Sequence, residues 1–297
     1  MASPDFVQWQ QTGHRFEHRG QPVFYQSGGS AGGSGTLLCI HGFPTASWDW
    51  HRIWPQLCAR FALVLAPDMM GFGYSAKPAR YRYSIVDQAD LHETLLRLSG
   101  VRRFHILAHD YGVSVAQELI ARHEERRARN DASLVIESCI LLNGGLFPET
   151  HRPRPIQKLL ASPLGPLLSR LNGEASFKRS FSAVFGAGTQ PGEQELGEFW
   201  KLIARDHGQR LFHKLIRYMQ ERREHRERWV GALQKTTVPL RLVNGPDDPV
   251  SGAHMVARYR ELIPNPDIVS LPHIGHYPQV EDPEGVLKAV LAFHARW

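Results

Sequence analysis

The chain has 297 residues, 42% of them hydrophobic and 10% aromatic, with a formal net charge of +6 and a pI of about 9.4. That balance supports a large buried core and excludes a disordered or low-complexity chain. No run of about 18 apolar residues occurs, so no membrane-spanning helix is expected. The stretch from Met1 to Gln10 lacks both a basic and an apolar segment, so it does not read as a secretory signal. Cys39 and Cys139 sit in apolar strand-like runs, and Cys58 lies near the end of a helical one. Three thiols, an odd number, read as buried and unpaired in a reducing compartment, and a cytoplasmic location is expected.

In chain order, residues His14 to Tyr25 read as a hairpin with Gly20 at its turn, and Gly28 to Gly35 as a flexible loop. Thr36 to Ile40 is wholly apolar, as a buried central strand should be. A helix is predicted around Trp48 to Arg60, then a strand from Phe61 to Ala66. Tyr83 to Leu98 has helical periodicity, Phe104 to Ala108 is a strand, and Val113 to Arg122 is a helix. Strands follow at Leu134 to Leu142, Val238 to Val243 and Ile268 to Leu271, with helices near His254 to Leu262 and Pro283 to Ala295. This alternation predicts a mostly parallel, doubly wound α/β sheet.

Between Leu146 and Trp229 no strand is predicted; prolines open the region and helical periodicity fills it. Helices inserted there would cover the carboxyl ends of the strands, where open α/β sheets bind ligands. The expected division is a core domain of residues 1–145 and 230–297, with a helical lid at 146–229. Two runs mix acid and base: Arg122 to Arg129, and Glu221 to Arg228. No nucleic-acid motif accompanies them, so they read as solvated helix faces laced with ion pairs, and no nucleic-acid partner is expected.

The strongest chemical signal is Ala108-His109-Asp110-Tyr111-Gly112, between a strand and a helix. A nucleophile on a sharp strand-to-helix turn needs small residues two before and two after it, and Ala108 and Gly112 satisfy that. The bland alternative is that Asp110 merely caps the helix. His276, in a loop between the last strand and the last helix, suits a general base. His273 and His276 could suggest a metal pair. No further ligands stand at sensible spacing, and neither metal nor cofactor is expected. A carboxylate should orient His276. Asp247 and Asp248 both follow the Val238 strand; Asp248 is preferred because the loop turns into a helix at Pro249-Val250, and Asp247 reads as a turn residue. His41-Gly42-Phe43-Pro44 forms a tight turn after the first central strand, with Pro44 a candidate for a cis bond. It would aim the Phe43 amide at Asp110, and with the Tyr111 amide make an oxyanion hole.

The His41 to Pro44 turn, the segment Pro67 to Ser75, the elbow His109 to Gly112 and the loop Gly275-His276 together resemble the epoxide hydrolase and haloalkane dehalogenase branch of the α/β-hydrolase fold. The resemblance covers nearly the whole chain. It implies that Asp110 attacks an sp³ carbon to form an alkyl-enzyme ester, which water activated by His276 then hydrolyses. Epoxide hydrolases also use lid tyrosines as acids. Tyr218 stands at one of the two expected places and is the only tyrosine between Phe147 and Trp229, so the second is missing; the alternative for Tyr218 is a half-buried helix residue that only packs. The haloalkane dehalogenase alternative is disfavoured, because Phe43 and Tyr111 stand where halide-binding groups belong. Tyr111 and Ser114 replace the arginines of fluoroacetate dehalogenases. A third reading is a ligand-binding protein without catalysis, and the intact set of Asp110, Asp248 and His276 opposes it. The expected partners are therefore a small-molecule substrate and water, with a homo-oligomer left open. Of Phe177, Phe181, Phe185, Phe199, Trp200 and Phe212, most read as lid core, and any that face the pocket imply a substrate of apolar body.

Overall fold

Strands apolar on both faces must lie between two layers, and the strands of this chain do so. The computed structural model describes residues 3–296; positions 1, 2 and 297, the outermost of the expected core domain, lie outside them. Among the described residues eight strands form one sheet: β1 (His14–His18), β2 (Gln21–Gly28), β3 (Thr36–Ile40), β4 (Leu63–Pro67), β5 (Arg103–His109), β6 (Val135–Leu142), β7 (Leu240–Asn244) and β8 (Ile268–Ser270). Their order is β1-β2-β4-β3-β5-β6-β7-β8. The first two strands form an antiparallel hairpin on one edge, and every pairing from β4 to β8 is parallel.

Side chains alternate between the two faces. Leu38, Ile40, Ile106, Ala108, Cys139 and Leu141 join one buried cluster, whereas Leu37, Cys39, Leu107, Ile140 and Leu142 join the other. Helices cover both faces: α1 (Phe6–Thr12), α2 (Trp54–Arg60), α3 (Ile85–Leu98) and α4 (Tyr111–Ala128) come before β6. The helix expected from Trp48 is broken into a 3₁₀ turn, Ser47–Trp50, and then α2. Pro55 explains the break, because proline is accepted only in a first turn. Helix α4 begins two residues earlier than expected, directly after Asp110. The three cysteines are buried and unpaired.

Between β6 and β7 the described residues are helical and contain no strand. They form α5 (Pro155–Leu160), α6 (Gly165–Leu171), α7 (Glu174–Ser182), α8 (Glu193–Ala204), α9 (Phe212–Leu215), α10 (Tyr218–Glu224) and α11 (Arg226–Lys235). Helix α11 runs across residue 229 and packs on α4. The chain ends with α12 (Ala253–Leu262), α13 (Pro278–Glu281) and α14 (Pro283–His294). The two charged runs meet where α11 lies on α4: Arg228 pairs with Glu118 at 2.7 Å and Arg122 with Glu118 at 2.8 Å. One expectation is corrected here. Arg222 belongs to the second run, yet it turns inward and is 2% exposed. Among the described residues no helix is long and apolar enough to cross a membrane.

Candidate active site

The site is assembled at the carboxyl ends of β3, β5, β6 and β7 and from the loop after β8. Asp110 closes β5 with φ 43° and ψ −105°, a left-handed conformation that a non-glycine residue holds only under constraint. The constraint is packing. A Cβ on Gly112 would lie 2.4 Å from the Ile40 carbonyl oxygen, and one on Gly42 would lie 2.9 Å from the Cβ of Asp110. Both glycines allow the β3 loop and the turn after β5 to touch. The Asp110 side chain makes no capping bond to α4. Its Oδ2 instead accepts from the Phe43 amide at 3.0 Å. Its own amide donates to the Asn143 carbonyl at 2.9 Å. The peptide between Phe43 and Pro44 is cis. The amide of Tyr111 opens α4, where the first N–H groups have no partner within the helix.

His276 approaches Asp110 from the loop after β8, with its Nε2 3.7 Å from Asp110 Oδ1. Its Nδ1–H donates to Asp248 Oδ2 at 2.7 Å. Asp248 also accepts from Asn143 Nδ2 at 2.9 Å, the Ser251 hydroxyl at 2.6 Å and the Val250 amide at 2.7 Å. Asp247 is exposed, and Asp248 is the one brought to His276. Burial alone would raise the Asp248 carboxyl, but His276, Ser251 and Asn143 hold it well below the usual carboxylate range. Burial alone would lower the His276 imidazole; the carboxylates of Asp248 and Asp110 outweigh it and raise the pKa to about 9. His276 therefore rests as imidazolium, flanked by two carboxylates.

Of the supporting loop, His41 links rather than reacts. The Met69 amide donates to its Nε2 at 2.9 Å, and its Nδ1–H donates to the Gly42 carbonyl at 2.8 Å. Burial pushes its pKa down to about 3, so it stays neutral. Tyr218 is 1% exposed, with its ring 5.0 Å edge-on from Tyr111 and the Arg222 guanidinium 4.5 Å from the ring centroid. Burial and the nearby Asp110 charge push its phenol well above its ordinary value, so it stays protonated.

A cleft of about 720 Å³, open to solvent, leads from this cluster. Phe43, Pro44, Asp110, His276 and Tyr277 form its floor. Ile156, Leu160, Phe177, Phe181, Val184 and Phe212 wall it from the helices between β6 and β7. Phe185, Phe199 and Trp200 stand behind that wall, with Phe199 5.0 Å from Phe181 and Trp200 5.6 Å from Phe177. Such a site can place an apolar substrate against a carboxylate, an imidazole and two amides.

The model of the alpha/beta hydrolase fold family matches residues 35–283. The chain belongs to that family. Among α/β-hydrolase relatives, the mesoderm-specific transcript homolog protein of Homo sapiens is 43% identical over 98% of this chain and 88% of its own length. LipZ of Mycobacterium tuberculosis is 38% identical over 98% of this chain and 99% of its own. The solved structure of the epoxide hydrolase CorEH superposes with a TM-score of 0.75 at 21% identity, over 96% of this chain and 99% of that one. At that identity the likeness is one of fold.

Sequence reasoning missed four parts of this α/β-hydrolase site. Asn143 holds both Asp248 and, through its Oδ1, the Gly245 amide at 2.7 Å. His109 Nε2–H donates to the His276 carbonyl at 2.7 Å and so ties the loop after β8 to the turn after β5. Arg222 donates to the Ser114 hydroxyl at 2.6 Å and to the Asp110 carbonyl at 3.1 Å. Tyr277 donates its hydroxyl to the Phe43 carbonyl at 3.3 Å. Asn143 had a local signal, a polar residue ending an apolar strand just before two glycines. Arg222 had only its spacing, four residues after Tyr218 and so on the same helix face.

Proposed function

We propose that this hydrolase uses Asp110 as its nucleophile. It forms an alkyl-enzyme ester with a substrate of apolar body, in the manner of an epoxide hydrolase. One observation carries the reading. A carboxylate sits on a strained strand-to-helix turn at the floor of an apolar cleft, one oxygen held by an amide and the other facing the imidazole of His276. Residues 146–229 serve as the lid over a core of residues 1–145 and 230–297.

In the first step Asp110 Oδ1 bonds to an epoxide carbon and the ring C–O bond breaks. The opening oxygen takes the phenolic proton of Tyr218, and the phenolate is reprotonated, through water, by the His276 imidazolium. Esterification removes the Asp110 charge, one of the causes that raise the His276 pKa. The imidazole is thereby freed to act as a base at the second step. Water then gives a proton to His276 Nε2, and the hydroxide adds to the Asp110 carboxyl carbon. Charge develops on the oxygen that already faces the Phe43 amide, with the Tyr111 amide as second donor. On collapse the bond from the carboxyl carbon to the substrate oxygen breaks, and the leaving alkoxide takes the proton of the newly added hydroxyl to become the diol. Asp110 returns to carboxylate, and His276 stays protonated, as it began. General-base help of this kind is typically worth about 10²–10⁴-fold.

The test is conversion of an aryl epoxide to its diol by the wild-type protein and by Asp110→Asn. Diol formation that the substitution abolishes supports the reading. Equal turnover by the variant overturns it. Halide release from haloalkanes without diol formation would assign the site to the dehalogenase reaction instead.

A further inference from the structure

Seven large hydrophobic side chains are well exposed among the described residues, and four of them are Leu159, Leu164, Leu167 and Leu171, at 48%, 61%, 55% and 71%. Isolated exposed leucines are ordinary; a cluster is not. Leu164, Leu167 and Leu171 recur at i, i+3 and i+7, so they share one face of α6. Gly165 and Ser169 of the same helix are buried. Helix α5 packs on α6 and ends with Leu159 and Leu160, Leu159 exposed and Leu160 buried in the cleft wall.

The charge of this segment is one-sided. From Thr150 to Gly173 there is no aspartate or glutamate, and there are four cations: Arg152, Arg154, Lys158 and Arg170. Arg152, Lys158 and Arg170 are exposed. None of the four pairs with a carboxylate among the described residues, in contrast to the interlocked charges of α4 and α11. The patch is also the rim of the cleft, since Arg154, Ile156, Gln157, Leu160 and Asn172 of the same segment line it.

We propose that this face of α5 and α6 docks on an anionic phospholipid surface. Leucines flanked by unpaired cations suit an interface with hydrocarbon beneath a layer of negative headgroups. A second copy of the chain is the weaker occupant on electrostatic grounds. A two-fold interface would set patch against patch and bring the same uncompensated cations together. Docked in this way, the cleft opens at the bilayer surface, and a substrate of apolar body enters without crossing water. That consequence rests on the proposed function; the docking itself does not.

Flotation of the full chain with phosphatidylcholine vesicles, and with vesicles that also contain phosphatidylserine, tests the proposal at low and high salt. The protein should float with the anionic vesicles only, and less at high salt. Lys158→Gln and Arg170→Gln should each weaken partitioning about fivefold. Leu167→Ser combined with Leu171→Ser should weaken it at least about tenfold, with an unchanged Tm. Failure of the wild type to float at low salt overturns the proposal, as does wild-type partitioning by the double leucine variant. A concentration-dependent dimer that the double leucine variant dissolves, with no flotation by the wild type, assigns the face to a second copy instead.

Discussion

The floor of the cleft and its rim are built on opposite principles. At the floor, each of the groups that would carry the chemistry is fixed by several others: Asp248 accepts four hydrogen bonds, including that of His276. Asp110 is pinned by the Phe43 amide, the Asn143 carbonyl and Arg222. At the rim, α5 and α6 are short, with exposed leucines and with cations that find no carboxylate among the described residues. The contrast teaches how differently the two regions are held: the floor by distance and charge within the fold, the rim with apolar and cationic groups left facing outward.

The substitutions that test this contrast run from the floor outward. Asp248→Asn should have the largest effect of the three, a loss of about 10²–10⁴-fold in steady-state turnover, because His276 loses the carboxylate that orients and charges it. The same variant should change the pH dependence of stability. The folded-state pKa of His276 is raised from 6.5 to about 9, so its contribution is full below about 6.5 and is lost as pH rises through about 9. A Tm series across that window should show the decline in the wild type and a much weaker one in Asp248→Asn. Tyr218→Phe should slow the first, alkylating step by about 10²-fold in single-turnover measurements. The hydrolysis of the ester should be little changed, since Tyr218 does not touch His276 in the second step. An equal slowing of both steps would move Tyr218 out of the role of acid and into packing. Gly112→Ala has the smallest expected effect on chemistry and acts on the scaffold. Its Cβ meets the Ile40 and His41 carbonyl oxygens at 2.4 and 2.7 Å, so a loss of about 1–3 kcal/mol is expected by denaturant unfolding.

Much of this was legible in the sequence because the relevant signals are local. Apolar strands of five to eight residues gave β3, β5 and β6 their places. The small residues around Asp110 marked the turn after β5, since the backbones there approach too closely for side chains. Asp248 was preferred to Asp247 because a helix was expected at Pro249-Val250, but α12 starts only at Ala253, and burial is what separates the two carboxylates in the fold. The partners held across the chain were not legible. His109 meets the carbonyl of a residue 167 positions away, and Arg222 meets Ser114 from 108 positions away. Nothing near either residue announces such a contact; in its run of like neighbours Arg222 reads as a solvated charge. Helix α1, capped by Asp5, escaped notice because a seven-residue helix carries little periodicity.

The most direct test of the central claim is intact-protein mass spectrometry on His276→Gln after incubation with epoxides. The account predicts that the first step still proceeds and the second stops, so the protein gains the whole mass of the epoxide on the peptide that contains Asp110. Diol production by His276→Gln at the wild-type rate with no adduct, or an adduct confined to another residue, would contradict it.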